Sequence, residues 1–141
     1  MDPRITERPV GAEAVLGRTG FPIVTSATGG EIAIVTGASQ AGFNPLDLLY
    51  ASLAACLAMS ARVAANRMGL LGRLEEVRAE VTGEKAVEGL SRVETFQIAI
   101  TIKGDIDAET RALIVKAAEE EICTVSNTIR ATPAFVTTIS D

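Results

Sequence analysis

The sequence has no histidine, no tryptophan, a single tyrosine and only two cysteines, Cys56 and Cys123. Each shortage narrows the chemistry. Without an imidazole, hydrolases of the Ser-His-Asp and Cys-His kinds are excluded. Two cysteines far apart, with no histidine near them, do not make the clustered ligand spacing of a zinc site, so no bound metal is expected. Basic residues are scattered, and the formal net charge is −5. No basic stripe interleaved with aromatics forms, which argues against nucleic acid as a partner. The opening MDPRITERPV is polar and lacks the apolar run of a secretory signal, so a cytoplasmic protein with no membrane attachment is expected. In that reducing compartment two cysteines are free, metal-bound or catalytic rather than a structural bridge.

What is present is an ordinary globular balance: 141 residues, 48% apolar and 22% charged. That fits one domain over residues 1–141 with a core that needs no disulfide framework. Three short strands are expected at 12–17, 21–26 and 31–36, separated by turns at Arg18-Thr19-Gly20 and Thr28-Gly29-Gly30. A helix follows, with Asn44 as N-cap, Pro45 in the first position and Asp47 returning a bond to the cap. It should run to about Met68 and stop at Gly69. Residues 48–61 carry no charge and are apolar nearly all round, too short a stretch to span a bilayer, so protein must wrap it. In a chain of this size a partner subunit is the most economical wrapper.

The second half repeats the order of strands then helix. Val77, Ala79 and Val81 alternate with polar neighbours, as do Phe96, Ile98, Ile100 and Ile102, and Glu88-Gly89 between them suggests an antiparallel hairpin. Asp107 should cap a helix over 108–122 with Leu113, Ile114 and Ala117 on its apolar face, and a short helix should follow Cys123 to about Arg130. Residues 135–139 read as a last strand. Strands in groups with helices inserted indicate an α+β fold rather than a doubly wound parallel sheet.

Cys56 lies in the small-residue run Ala54-Ala55-Cys56, with Ser52 and Ser60 one turn away on roughly the same helix face. A free cysteine there is either a small buried hydrophobe or a reactive thiol. Cys123 sits at a helix junction, where unpaired N–H groups and the helix dipole favour a thiolate.

The segment Asn44-Pro45-Leu46-Asp47-Leu48-Leu49-Tyr50-Ala51-Ser52-Leu53-Ala54-Ala55-Cys56-Leu57-Ala58-Met59 resembles the central helix of the OsmC/Ohr family of osmotically inducible proteins and organic hydroperoxide reductases. Cys123-Thr124-Val125-Ser126-Asn127 resembles that family's second cysteine motif, usually Cys-Pro-Val-Ser, and the separation of the cysteines is similar. The resemblance implies antiparallel strands packed around the long apolar helix in an intertwined homodimer. It further implies a peroxidase with Cys56 as the attacking thiolate, Cys123 as the resolving thiol, and an organic hydroperoxide as substrate. No cofactor would be bound; an external, lipoyl-type dithiol would be the reductant.

An ordinary thiol, with a pKa of about 8.5, is only a few per cent ionised at neutral pH, and burial lowers that fraction. A nearby cation is therefore expected, and by resemblance it is Arg18. An apolar pocket including Leu49, Leu53 and Met59 would favour alkyl or fatty-acyl chains. One departure stands out: the family's well-characterised branches place a Glu directly after the helix proline to orient the arginine, and this chain has Leu46. Asp47, one residue later, points about 100° away and has its own role in the cap; another acid such as Glu31 is a further choice. An OsmC-like stress protein that binds a small apolar ligand with little turnover is therefore the alternative.

Overall fold

The computed structural model describes residues 7–140; the first six residues of the polar start lie outside the described residues. The chain divides into two compact units, Met1–Leu48 and Leu49–Asp141. In the first, β1 (Ala12–Val15), β2 (Ile23–Ser26) and β3 (Glu31–Ala33) form an antiparallel sheet in that order. The strands are shorter than their sequence patterns, and Ala12 pairs with Ser26 and Ile23 with Ala33.

Helix α1 (Pro45–Arg67) begins as its first residues dictate. The Asn44 side-chain oxygen accepts from the Asp47 N–H at 2.7 Å, and the Asp47 carboxylate accepts from the Asn44 N–H at 3.0 Å. This reciprocal cap satisfies two donors that a helix start would otherwise leave unpaired. At the other end Gly69 takes a φ of 74°, a left-handed conformation that favours glycine and halts the helix.

In the second unit, β4 (Leu74–Lys85) and β5 (Val93–Gly104) form a long antiparallel hairpin. Its register sets Val77 opposite Ile102, Ala79 opposite Ile100 and Val81 opposite Ile98, so the alternating apolar residues share one face. Leu53 and Leu57 of α1 pack on Ala79, Val81, Phe96 and Ile98 of that face, while Ala61, Ala64 and Ala65 pack around Ile102. By length and composition α1 could cross a membrane; in the single chain its Leu53, Leu57 and Ala61 face packs on the hairpin. Gly83, opposite Phe96, explains itself here. A Cβ at Gly83 would stand 2.6 Å from the Tyr50 hydroxyl, whose ring meets Phe96 edge-on at 6.2 Å. The opposite face of α1, including Ser52, Ala55, Met59 and Val63, is exposed in the single chain.

Asp107 caps α2 (Ala108–Ala117), accepting from the Thr110 N–H at 2.7 Å. The expected single helix over 108–122 is interrupted: Ala118–Ile122 is a π-helical turn, closed by the Cys123 N–H donating to the Ala118 carbonyl at 2.9 Å. Leu113, expected on the apolar face, is 53% exposed, because Ile114 and Ala118, one turn apart, define the buried stripe. Helix α3 (Thr124–Ala131) follows at once and ends at Thr132, with φ 51°. The strand expected at 135–139 does not form, and Phe135, Val136 and Ile139 are more than 90% exposed. A strand exists only by sharing hydrogen bonds with a neighbour, and in the single chain this segment has none among the described residues.

Candidate active site

The junction of the π turn with α3 carries Cys123 as the N-cap of α3. Its sulfur accepts from the Ser126 N–H at 3.4 Å, a place usually taken by a hydroxyl or carboxylate oxygen. The residues after it hold the turn shut. The Ser126 hydroxyl donates to the Glu119 carbonyl at 3.0 Å, and the Asn127 amide donates to the Glu121 carbonyl at 3.1 Å. Both carbonyls belong to the π turn, so Ser126 and Asn127 have a structural role beside a cysteine motif. Arg130 completes the clamp with an ion pair to Glu119 at 2.9 Å.

Cys123 is fully buried, and it packs with Leu53, Leu57 and the half-buried Cys56 of α1. Both thiols are free. Their environments push them in opposite directions. Burial pushes the Cys56 thiol up, but hydrogen bonds from the Cys123 thiol, the Val125 N–H, the Ser60 hydroxyl and the Thr124 N–H together outweigh it, and its pKa lies below that of an ordinary cysteine. Cys123 is raised, first by burial, then by the hydrogen bond it gives to Cys56 and by the charge that Cys56 acquires.

One expectation changes. The helix start was expected to favour a thiolate at Cys123, yet burial pushes its pKa up. In the single chain the Cys56 thiol is lowered by hydrogen bonds, that of the Cys123 thiol first and those of the first N–H groups of α3 after it. The sequence reading placed Ser60 on the Cys56 face without a role, and it missed Val125 and Thr124. Their contribution is backbone, which no side-chain motif reports.

The remaining expected residues fall in several places. Leu53 is buried beside the cysteine pair and lines a cavity of about 170 Å³ with Phe96, Ile98, Ile129, Ser126 and the Glu119–Arg130 pair. Met59 lines a separate cavity with Ala58, Arg62, Leu71, Leu74 and Val77. Leu49 is half-buried on α1. Asp47 is engaged in the cap of α1, and Arg18 is exposed in the turn between β1 and β2 of the first unit. Glu31 is exposed at the start of β3.

Comparison with known proteins gives the frame for these residues. None of the curated proteins matches the chain. Among solved structures, an OsmC-like protein from Mycoplasma pneumoniae superposes with a TM-score of 0.74 at 18% identity, covering 90% of this chain and 91% of that one. The organic hydroperoxide resistance protein OhrB of Bacillus subtilis gives 0.67 at 26% identity, over 87% and 91%. An organic hydroperoxide resistance protein from Elizabethkingia anophelis gives 0.68 at 23%, over 90% and 91%. The α+β fold with antiparallel sheets is thus shared with these proteins. The model of the family described as OsmC-like protein matches residues 37–138, a span that contains both cysteines and every group around them, and the chain belongs to the OsmC-like family.

Proposed function

We propose that the protein is a thiol peroxidase that reduces organic hydroperoxides, with Cys56 as the attacking thiolate and Cys123 as the resolving thiol. The observation that carries this reading is the placement of two free thiols in one packed cluster, Cys56 half-buried on α1 and Cys123 fully buried at the start of α3; the lowering of Cys56 and the raising of Cys123 agree with it. A nucleophile must be ionised when the substrate arrives, whereas a resolving thiol must not compete with it. The names of the Bacillus and Elizabethkingia structures support the substrate class.

The Cys56 thiolate attacks the outer oxygen of the hydroperoxide. The O–O bond breaks, the departing alkoxide takes up a proton to become the alcohol, and Cys56 is left as a sulfenic acid. The sulfur of Cys123 then displaces the sulfenic oxygen, which leaves as water, and a Cys56–Cys123 disulfide forms. One external proton completes the balance. An external dithiol, lipoyl-type on the family resemblance, returns both cysteines to thiols. Alkyl or fatty-acyl chains would be held by the apolar walls near the pair, with Leu53 contributing directly and Leu49 and Met59 further along α1. Arg18 is assigned a supporting cationic role on the resemblance, with Asp47 as the acid nearest the family position. The protein acts as a homodimer in this reading, the partner covering the open face of α1.

The alternative, an OsmC-like stress protein that binds a small apolar ligand, draws on one specific observation: the Asp47 carboxylate is already used by the Asn44 N–H. Slightly less than one equivalent of cumene hydroperoxide separates the two. Peroxidase chemistry removes both thiols within seconds in the parent protein and leaves a trappable sulfenic acid in Cys123→Ser. Thiols that survive for minutes would rule it out.

A further inference from the structure

The buried side of the α2 region runs through Ile114, Ala118 and Cys123, all three fully buried. Four residues separate the first two, about one α-helical turn, but five separate Ala118 from Cys123. Had the α-helix simply continued, Ile122 would follow Ala118 on that side, and Cys123 would face about 140° away from Ala118. The π turn Ala118–Ile122 absorbs the extra residue, because the Cys123 N–H reaches back past the α-helical partner to the Ala118 carbonyl. Ile114 and Ala118 share a buried cluster with Ala61, Ala64 and Ala65 of α1. Cys123 shares the next cluster with Leu53 and Leu57, and Cys56 packs against it. The inserted residue thus turns the sulfur toward α1.

A π turn is rare and needs support. The end of a helix leaves its last carbonyls without partners inside the helix. Two of them here, those of Glu119 and Glu121, accept from the Ser126 hydroxyl at 3.0 Å and the Asn127 amide at 3.1 Å. Asn127 is exposed, so packing does not account for it. We propose that Ser126 and Asn127 are positioning residues that fasten the π turn from α3 and so hold Cys123 in register with Cys56 for disulfide formation. The inference rests on the reading of Cys123 as the resolving thiol, but its test needs no peroxide.

The test is the equilibrium of the full-length protein with a glutathione buffer. The two cysteines give two electrons and two protons to glutathione disulfide, which becomes two glutathione thiols, and the Cys56–Cys123 bond forms. Alkylation of the remaining thiols followed by mass spectrometry reads the oxidised fraction. Asn127→Ala should lower the equilibrium constant for the disulfide roughly three- to tenfold, the worth of one such hydrogen bond. Asn127→Asp, of the same size but without the donor, should follow it, and Ser126→Ala should add to the loss. Gly69→Ala strains the left-handed stop of α1, so it should lower stability yet keep the parent equilibrium. An equilibrium unchanged in both Asn127 variants overturns the proposal. So does an equal shift in Gly69→Ala, since lost stability alone would then explain the effect. If the variants shift as expected while the parent consumes no hydroperoxide, the inference stands and the peroxidase reading falls. If the parent consumes hydroperoxide and the variants keep its equilibrium, the reverse holds.

Discussion

At the scale of single residues, the chemistry depends on where one proton resides. Cys56 and Cys123 touch, and the shared hydrogen bond makes each the other's perturbant. A lowered pKa means that Cys56 becomes a thiolate at a pH where an ordinary cysteine is still protonated; a raised one means that Cys123 ionises later. Alkylation followed from pH 6 upward should therefore label Cys56 first, with Cys123 lagging both through its higher pKa and through its full burial. Labelling in the reverse order would exclude Cys56 as the nucleophile. The sequence showed the two cysteines and their family motifs, but it could not rank them physically, because the rank depends on which sulfur receives the α3 N–H groups. Asp47 is the contrasting case. Its role in the cap is local, fixed by the Asn-Pro-x-Asp order, and the structure places its carboxylate on the Asn44 N–H.

At the scale of elements, α3 is both support and electrostatic source. Its first two N–H groups, Thr124 and Val125, contribute to the Cys56 environment, and that of Ser126 contributes to Cys123. The family motif carries proline where this chain has Thr124, so the resembling sequences lack one of these donors. Thr124→Pro should leave α3 intact, since proline suits the first helical position, while withdrawing that N–H from Cys56. The expected outcome is an upward shift of the Cys56 alkylation midpoint with unchanged far-ultraviolet circular dichroism. At the start of α1, Asn44→Ala should cost about 1 kcal/mol of stability by chemical denaturation, from the loss of the reciprocal cap. Caps, the hairpin alternation and the stop at Gly69 were legible because each is written within a few adjacent residues. The π turn was not: its extra residue is stabilised by Ser126 and Asn127 reaching back from the next helix, which periodicity in 108–122 cannot report.

At the scale of the whole molecule, the single chain leaves apolar surface that a helix wrapped on all sides would not show. Met59 is 60% exposed and Val63 39% on the open face of α1, and the strand-like segment from Phe135 to Ile139 is almost fully in water. Scattered apolar residues are normal on a surface, but a helix apolar nearly all round and an unpaired β-type segment point together to a missing neighbour. The homodimer proposed on the family resemblance supplies one without any further component. The failed strand at 135–139 then has a physical meaning: its pattern is that of a strand, and hydrogen-bond partners from a second chain could complete it. Native mass spectrometry at micromolar concentration should show twice the chain mass. Met59→Glu with Val63→Glu places two charges on the face that the partner would cover, where an unpaired buried charge costs several kcal/mol, and should shift the protein to single chains. Since both positions are exposed in the isolated chain, the same substitutions should leave its own core, and the contact between Cys56 and Cys123, unchanged. A parent protein that remains a single chain would contradict the dimer, while a doubly charged variant that still dimerises would move the interface away from α1.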